Sequence, residues 1–444
     1  VGDATLSRWP GRFERVRADH LHVQNLRLRA YLLSSRVSSS LLGLAQLSVL
    51  ARVLPAEQFA LVAAATAAAT YVALLGEPAV LGYERLGKHA REHDSTTGES
   101  RSVAHTVTML LMVVAPTIAV LIGLVMGKPL YSLVVALWAV SLVQLRWVSV
   151  QYLNWQEQSH FATAMLVNSA ARASGMLIAG VTTGDGVLVL LVGAVASLIA
   201  TLFVSPRRAG LSLNRPALRL LLKVGAPLTI ASAAVSSMGS WPTLVGNALL
   251  PSETFANYVA QASLAGSFFG VTVGFVLVFG WPQAKKAWDE GDSEGALDVI
   301  ARYTRYTLVL GGAAVFLFWV FGDLITRIFL GPNYVGHLIP SYVTSLACVS
   351  AIAGLNSWYL RLNYRQNWWA GIAVTAALFQ IPLVSFATQQ AQLLGLMLAM
   401  ALTSWGQCMA AGLVARQPRM MVNLVVGSGM GILAAALAVA VAQE

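Results

Sequence analysis

Thirteen apolar runs, most of them about 20 residues long, leave this chain few folds to adopt. They lie at 31–53, 58–82, 104–126, 130–153, 161–183, 187–205, 220–249, 253–280, 303–322, 337–360, 368–388, 391–415 and 420–441. At about 1.5 Å per residue, such a run crosses a hydrocarbon core about 30 Å thick as an α-helix. The runs are continuous rather than alternating, so they read as helices and not as barrel strands. Hydrophobic residues make up 57% of the chain and charged residues only 11%. A soluble protein of this size could not cover itself with so little charge. The fold class is therefore an all-α polytopic membrane protein.

The formal net charge of +10 follows topology rather than a nucleic-acid partner. Residues 1–30 hold Arg8, Arg12, Arg15, Arg17, Arg27 and Arg29. Every second inter-span segment then carries basic residues, except the short turn at 154–160, which is inside by alternation alone: Arg85, Lys88, Arg91 and Arg101; Arg207, Arg208, Arg215 and Arg219; Lys285, Lys286 and Arg302; Arg361 and Arg365; Arg416 and Arg419. The opposite turns hold little beyond Arg52, Lys128 and Arg327. This asymmetry places the N-terminus in the cytoplasm, and an odd span count places the C-terminus outside. Segment 1–30 reads either as an amphipathic helix on anionic membrane lipids or as a basic leader that only fixes topology. It is too basic for a cleavable signal. A chain without an initiating Met is expected to begin after some missing residues.

An internal repeat sets the domain organisation. Leu54-Pro55-Ala56-Glu57-Gln58-Phe59-Ala60 follows the first span, and Leu250-Pro251-Ser252-Glu253-Thr254-Phe255-Ala256 follows the seventh. A proline and a glutamate in the first helical turn suit a helix N-terminus. Six spans separate the copies, and an even number keeps the halves parallel, related by an axis along the membrane normal. The expected layout is an N-lobe at 31–205 with spans 1–6, a basic linker at 206–219, a C-lobe at 220–415 with spans 7–12, and an additional span at 420–441. Two such bundles enclose a cavity and permit alternating access.

Charges inside the spans are few. Arg172 lies about eleven residues into the fifth span, roughly 16 Å deep. An arginine near the midplane costs at least about 2.5–3.5 kcal/mol and must face protein or a wet cavity. It either ties helices together through backbone carbonyls or forms an anion site, with Asn168 on the same face. Arg36 and Glu77 sit at similar depths on antiparallel spans, which suits an ion pair, structural or coupling. Arg146 either snorkels to the headgroups or joins Arg36 and Arg172 in a cationic wall that would grip a pyrophosphate bidentately. Lys223, which opens the seventh span, and Gln261, one of several amides in the second half, are further candidate substrate-binding residues, as is Asn168.

Other chemistry is missing. No Gly-x-x-x-x-Gly-Lys-Ser/Thr loop marks an ATPase. Cys348 and Cys408 fall inside apolar runs without metal-ligand spacing, and no His, Cys and carboxylate cluster marks a metal site. No catalytic constellation is visible, so the chain reads as a transporter rather than an enzyme. No cofactor is called for.

Arg52-Val-Leu-Pro-Ala-Glu-Gln-Phe-Ala-Leu61, Leu221-Leu-Lys223-Val-Gly225-Ala-Pro227-Leu228, Leu249-Leu-Pro-Ser-Glu-Thr-Phe-Ala-Asn-Tyr258 and Phe329-Leu-Gly-Pro-Asn-Tyr334 together resemble the multidrug/oligosaccharidyl-lipid/polysaccharide (MOP) exporter superfamily. Within it, the resemblance is to the bacterial polysaccharide, O-antigen-type flippases. The chain departs from that pattern at Ala60 and Ala256, where the family often has Gly, at Glu77-Pro78-Ala79, where it often has an acidic-x-Gly ending, and in its odd span count. The resemblance implies a MATE-like fold in the bacterial cytoplasmic (inner) membrane. It implies a flippase that moves an undecaprenyl-pyrophosphate-linked oligosaccharide between leaflets. Coupling to H+ or Na+ is implied for some members, and glycan polymerase or glycosyltransferase partners are possible under the same reading. The alternatives are a cation-coupled multidrug exporter, a lipid-linked peptidoglycan precursor flippase and, remotely, a membrane glycan polymerase. Against the drug exporter, the first span carries Arg36 and no carboxylate.

Overall fold

The computed structural model describes residues 10–89, 95–154, 157–206, 210–334, 336–363, 366–415 and 418–443. The side chains of 1–30, 85–98 and 416–424 lie outside the described set, so the expected interfacial segment is seen only as backbone helix from Pro10 onward. The first half consists of α1 (Pro10–Val53), α2 (Ala56–Ala73), α3 (Glu77–His89), α4 (Ser95–Val125), α5 (Pro129–Asn154), α6 (Gln158–Thr183) and α7 (Gly186–Phe203). The second consists of α8 (Arg215–Leu249), α9 (Ser252–Phe275), α10 (Trp281–Asp289), α11 (Ser293–Phe329), α12 (Leu338–Leu362), α13 (Gln366–Ala415) and α14 (Pro418–Val441). Helix α13 has two arms, because Ala391 and Gln392 leave the helical conformation and Gln392 adopts φ 47°. No strand occurs among the described residues.

The expected spans fall on helices, the second on α2 and α3 together and the eleventh and twelfth on the two arms of α13. Among the described residues, eight helices are long and apolar enough to cross a membrane on composition alone, and a bent pair brings the number to nine. Helices α1 and α9, rich in serine and amides, fall outside that set.

The repeated heptapeptide builds the same joint twice. Pro55 and Pro251 stand just before α2 and α9, with Glu57 and Glu253 in the first turns. The amides of Phe59 and Phe255 bond back to the carbonyls of Pro55 and Pro251, each at 2.9 Å. Both phenylalanines are buried.

Packing repeats as well. Helix α1 lies on α6, as α8 lies on the first arm of α13, where Trp241 Nε1 donates to the Ile381 carbonyl at 3.1 Å. The pair α4–α5 is matched by α11–α12, and α2–α5 by α9–α12. Helix α5 packs on α7 as α12 packs on the second arm of α13, where Tyr342 donates to the Met397 carbonyl at 2.7 Å. Helix α14 is the additional element, laid against α12 and that second arm.

The halves share one core at the end away from the basic loops. Leu50, Leu54 and Phe59 pack there with Leu250, Phe255, Leu330 and Tyr334. Toward the basic end the core divides. Ile300, Tyr303, Trp358 and Ala411 form a cluster of the second half, while Val80, Tyr83 and Trp147 form one of the first half. The start of α8 joins the latter through Leu221. There α3 and α8 cross backbone to backbone: a Cβ on Gly225 would run into the Pro78 carbonyl, and one on Gly82 into the Leu221 carbonyl. Glycine is required at both positions.

The second span is not one straight helix. The amides of Leu74, Leu75 and Gly76 bond three residues back, to Tyr71, Val72 and Ala73, and α2 and α3 meet at 63°. Glu77 therefore opens α3 rather than continuing α2.

Candidate functional site in the first half

The inner stripe of α6 runs Asn168, Arg172, Met176, Ala179, one turn at a time. Asn168 is fully buried. Its Nδ2 donates to the Ser197 carbonyl (3.1 Å), Ser197 Oγ (2.7 Å) and Thr201 Oγ1 (2.8 Å) of α7. The structure thus occupies this amide in the α6–α7 contact. The sequence does not announce these partners, because Ser197 and Thr201 lie in another apolar run.

Arg172, one turn deeper, is partly buried. Its guanidinium carbon stands 5.9 Å from the ring centre of Trp138 on α5. A cation over an indole face is stabilised by about 2 kcal/mol or more when desolvated. No carboxylate lies within ion-pair distance of it among the described residues. A neighbouring stripe member, Met176, accepts from Gln46 Nε2 of α1 at 3.0 Å. The arginine therefore stands inside the first half, with an aromatic floor and a fixed charge that no anionic residue neutralises.

The other expected charges are distributed differently. Arg146 does not join a cationic wall: it pairs with Glu84 of α3 at 3.3 Å, both side chains part-exposed. The expected Arg36–Glu77 pair does not form. The bend after Ala73 re-aims Glu77, so equal depth on antiparallel spans no longer brings the two together. Glu77 Oε2 is buried and has no hydrogen-bond partner, although its place in the first turn of α3 suits a carboxylate. Arg36 is exposed on α1 and has no ion pair among the described residues. Lys223 is exposed near the start of α8. Gln261 is buried at the closed end, where its Nε2 donates to Asn257 Oδ1 at 2.7 Å and its amide packs on Gly336.

Between the halves, α1 faces α9. A side chain on Gly270 would lie 3.9 Å from Ser40 Oγ, and one on Gly43 or Gly266 would meet nothing within 4 Å. This seam is lined by small residues that leave space. Arg36 and Arg172 thus have no ion pair among the described residues, and Arg172 alone stands over an aromatic ring.

Comparison with known proteins gives a consistent picture. The family model for "Polysaccharide biosynthesis protein" matches residues 26–278. Among solved structures, an outward-facing multidrug resistance MATE family transporter of the MOP superfamily is 16% identical, with a TM-score of 0.55 over 93% of this chain and 96% of that one. A crystal structure of MATE in the straight conformation is 15% identical, with a TM-score of 0.54 over 93% and 96%. An inward-facing structure of a multidrug resistance MATE family transporter is 14% identical, with a TM-score of 0.51 over 91% and 94%. No curated protein matches the chain.

Proposed function

We propose, for a chain that belongs to the polysaccharide biosynthesis protein family, that it is a flippase for an undecaprenyl-pyrophosphate-linked oligosaccharide. That it is a multi-pass membrane exporter of the MATE-like fold follows from the family and the architecture. The finer reading rests on one observation: Arg172 stands on Trp138 inside the first half with no carboxylate to neutralise it. A planar guanidinium grips pyrophosphate through paired hydrogen bonds. Arg36 supplies a second cation on α1, nearer the basic end. Asn168 supports this site by holding α6 to α7, and Arg146 is held by Glu84; Lys223, exposed on α8, and Gln261, bonded to Asn257, are the second half's candidate contacts to the cargo.

In this reading the linker-joined lobes, 31–205 and 220–415, alternate about the shared core. The halves share one core at the end away from the basic loops and also meet toward the basic end, where α8 crosses α3; the positive-inside rule puts that basic end in the cytoplasm. Anionic lipids attract the basic end, and glycan-building enzymes would supply the cargo.

One observation favours a second reading. Glu77, half-buried in a broken span, holds one carboxylate oxygen, Oε2, buried without a hydrogen-bond partner, as suits a cation-coupled exporter. The two readings separate in a binding assay. The purified protein is titrated with an undecaprenyl-pyrophosphate glycan and, in parallel, with lipophilic cations. Saturable binding of the glycan lipid, competed by free pyrophosphate and not by the cations, is expected. Binding of the cations alone would overturn the flippase reading in favour of a drug exporter.

A further inference from the structure

Helix α8 opens the second half in sequence, but its first turns do not pack there. Leu221 is buried in the first-half cluster with Val80, Tyr83 and Trp147, and Ala217 and Leu218 lie against the same cluster. Gly225 meets the Pro78 carbonyl and Gly82 meets the Leu221 carbonyl, so the contact with α3 is backbone on backbone. The chain ahead of the helix is fastened to α4 as well. The Ser212 amide donates to Thr106 Oγ1 at 2.9 Å, and Asn214 Nδ2 donates to Glu99 Oε2 at 2.8 Å.

Beyond Pro227 the partners change. Ala234 is buried against Ala373 and Ala377 of α13. Gln380 Nε2 donates to the Met238 carbonyl at 3.0 Å, and Trp241 Nε1 donates to the Ile381 carbonyl at 3.1 Å. This stretch also passes α2 across the seam between the halves. The residues joined in the two bonds to α13 stand 142 and 140 positions apart. Helices that run side by side with one rise per residue keep such an offset. Gln366, the first residue of α13, is therefore level with Gly225 and Ala226. The start of α8 projects past the end of α13 and rests on the first half instead.

Pro227 stands at the changeover, exposed inside the helix. It has no N–H, so the Lys223 carbonyl loses its partner within α8, and the ring favours a bend there. The weakest link of the helical ladder thus falls where α8 passes from one half to the other. We infer that the joint on which the halves turn lies inside α8 at Pro227, not in the linker ahead of it, and that the first turns of α8 travel with the first half. The inference rests on the alternating-access reading and adds to it the place of the joint. Lys223 then moves with Arg172 and Arg36 rather than with Gln261.

The test measures distances between pairs of spin labels in the full chain, held in lipid nanodiscs. The buried Cys348 and Cys408 are replaced by alanine. Labels go on cysteines at four exposed positions: Ile178 on α6, Leu220 and Val235 on α8, and Trp319 on α11. Ile178 with Leu220 should give one distance, and so should Trp319 with Val235, because each pair rides on one body. Ile178 with Val235 and Trp319 with Leu220 should each give two, one for each state. Pro227→Ala restores the missing N–H, and the pair Ile178 with Val235 should then lose its second distance. Should that variant fail to fold, the four pairs with Pro227 in place decide alone. Two distances for Ile178 with Leu220, or for Trp319 with Val235, would overturn the joint and leave the motion. One distance for all four pairs would remove the motion and the joint with it. A folded Pro227→Ala protein that keeps both distances would show that the helix does not turn at this proline. No cargo enters these measurements, so a wrong joint and a failed glycan-binding assay are told apart.

Discussion

Arg52, near the end of α1, donates from Nη2 to the carbonyl of Ile328, near the end of α11. Ser48 donates beside it to the carbonyl of Phe329. The last carbonyls of a helix have no partner within it and carry the negative end of its dipole. An arginine of the first half therefore caps a helix of the second, at the end where the halves share one core. Any opening at that end must break this cap. A hydrogen bond to a charged group contributes about 1.5–3 kcal/mol, so Arg52→Ala should raise the open population roughly tenfold to a hundredfold. The check is labelling of a Tyr334→Cys protein by a membrane-impermeant thiol reagent, with and without Arg52→Ala. An unchanged labelling rate would show that the cap does not hold the gate.

The α3–α8 crossing gives a second prediction. Gly225 touches the Pro78 backbone so closely that even a methyl group cannot enter. Overpacking a rigid contact costs about 1–3 kcal/mol, and here both neighbours are backbone. Gly225→Ala should lower yield and melting temperature together, and Gly225→Val more so. Gly43→Ala, which enters open space, should leave melting unchanged and serves as the control. A Gly225→Ala protein as stable as wild type would refute the tight crossing.

Much of this architecture was legible because apolar run length is a one-dimensional signal. The thirteen spans and the twin Leu-Pro-x-Glu-x-Phe-Ala joints needed no knowledge of neighbours. Side-chain partnerships did need it. Depth counted along a straight helix puts Glu77 beside Arg36, and it overlooks Gly76 and Pro78, which punctuate the run where the chain bends by 63°. Arg146 reads from the sequence as either a snorkelling or a cavity cation, because its partner Glu84 sits just beyond the expected end of the second span. The Arg52 cap was hidden because Arg52 reads as one more residue of an outside turn. Arg172 was legible by depth alone, but its Trp138 floor lies in a different run.

Arg36 and Glu77 make a third prediction. Residues without a shared contact should show additive effects. Neutralising both, as Arg36→Gln with Glu77→Gln, should change stability by the sum of the single changes, within about 0.5 kcal/mol. Glu77→Gln alone should not destabilise, since the buried carboxylate oxygen Oε2 has no hydrogen-bond partner to lose. Thermal melting of the four proteins decides the matter. Rescue of either single variant by the other would restore the ion pair that the bend excludes.

The final prediction concerns Arg172 and its aromatic floor. The midplane charge is costly, and Trp138 offsets only part of that cost. If the remainder is compensated by water and by the pyrophosphate during transport, Arg172→Ala should leave the protein folded and inserted while glycan export falls strongly. Arg172→Lys keeps the charge but loses the planar fork, so it should restore export only in part. Trp138→Leu keeps the buried volume apolar and leaves the arginine, but removes the plate that orients it. It should weaken apparent affinity for the lipid-linked glycan more than it lowers maximal export. Asn168→Leu is the internal contrast. Its amide bonds α6 to α7, and interhelical bonds of this kind average about 0.6 kcal/mol in membranes. It should therefore shift melting slightly and spare export. The measurements are detergent melting temperature and complementation of glycan export for all five proteins. Normal export by a stable Arg172→Ala protein would remove the anion site. Loss of export with matching loss of stability in Arg172→Ala would make the arginine a helix tie, with Trp138 as its packing partner.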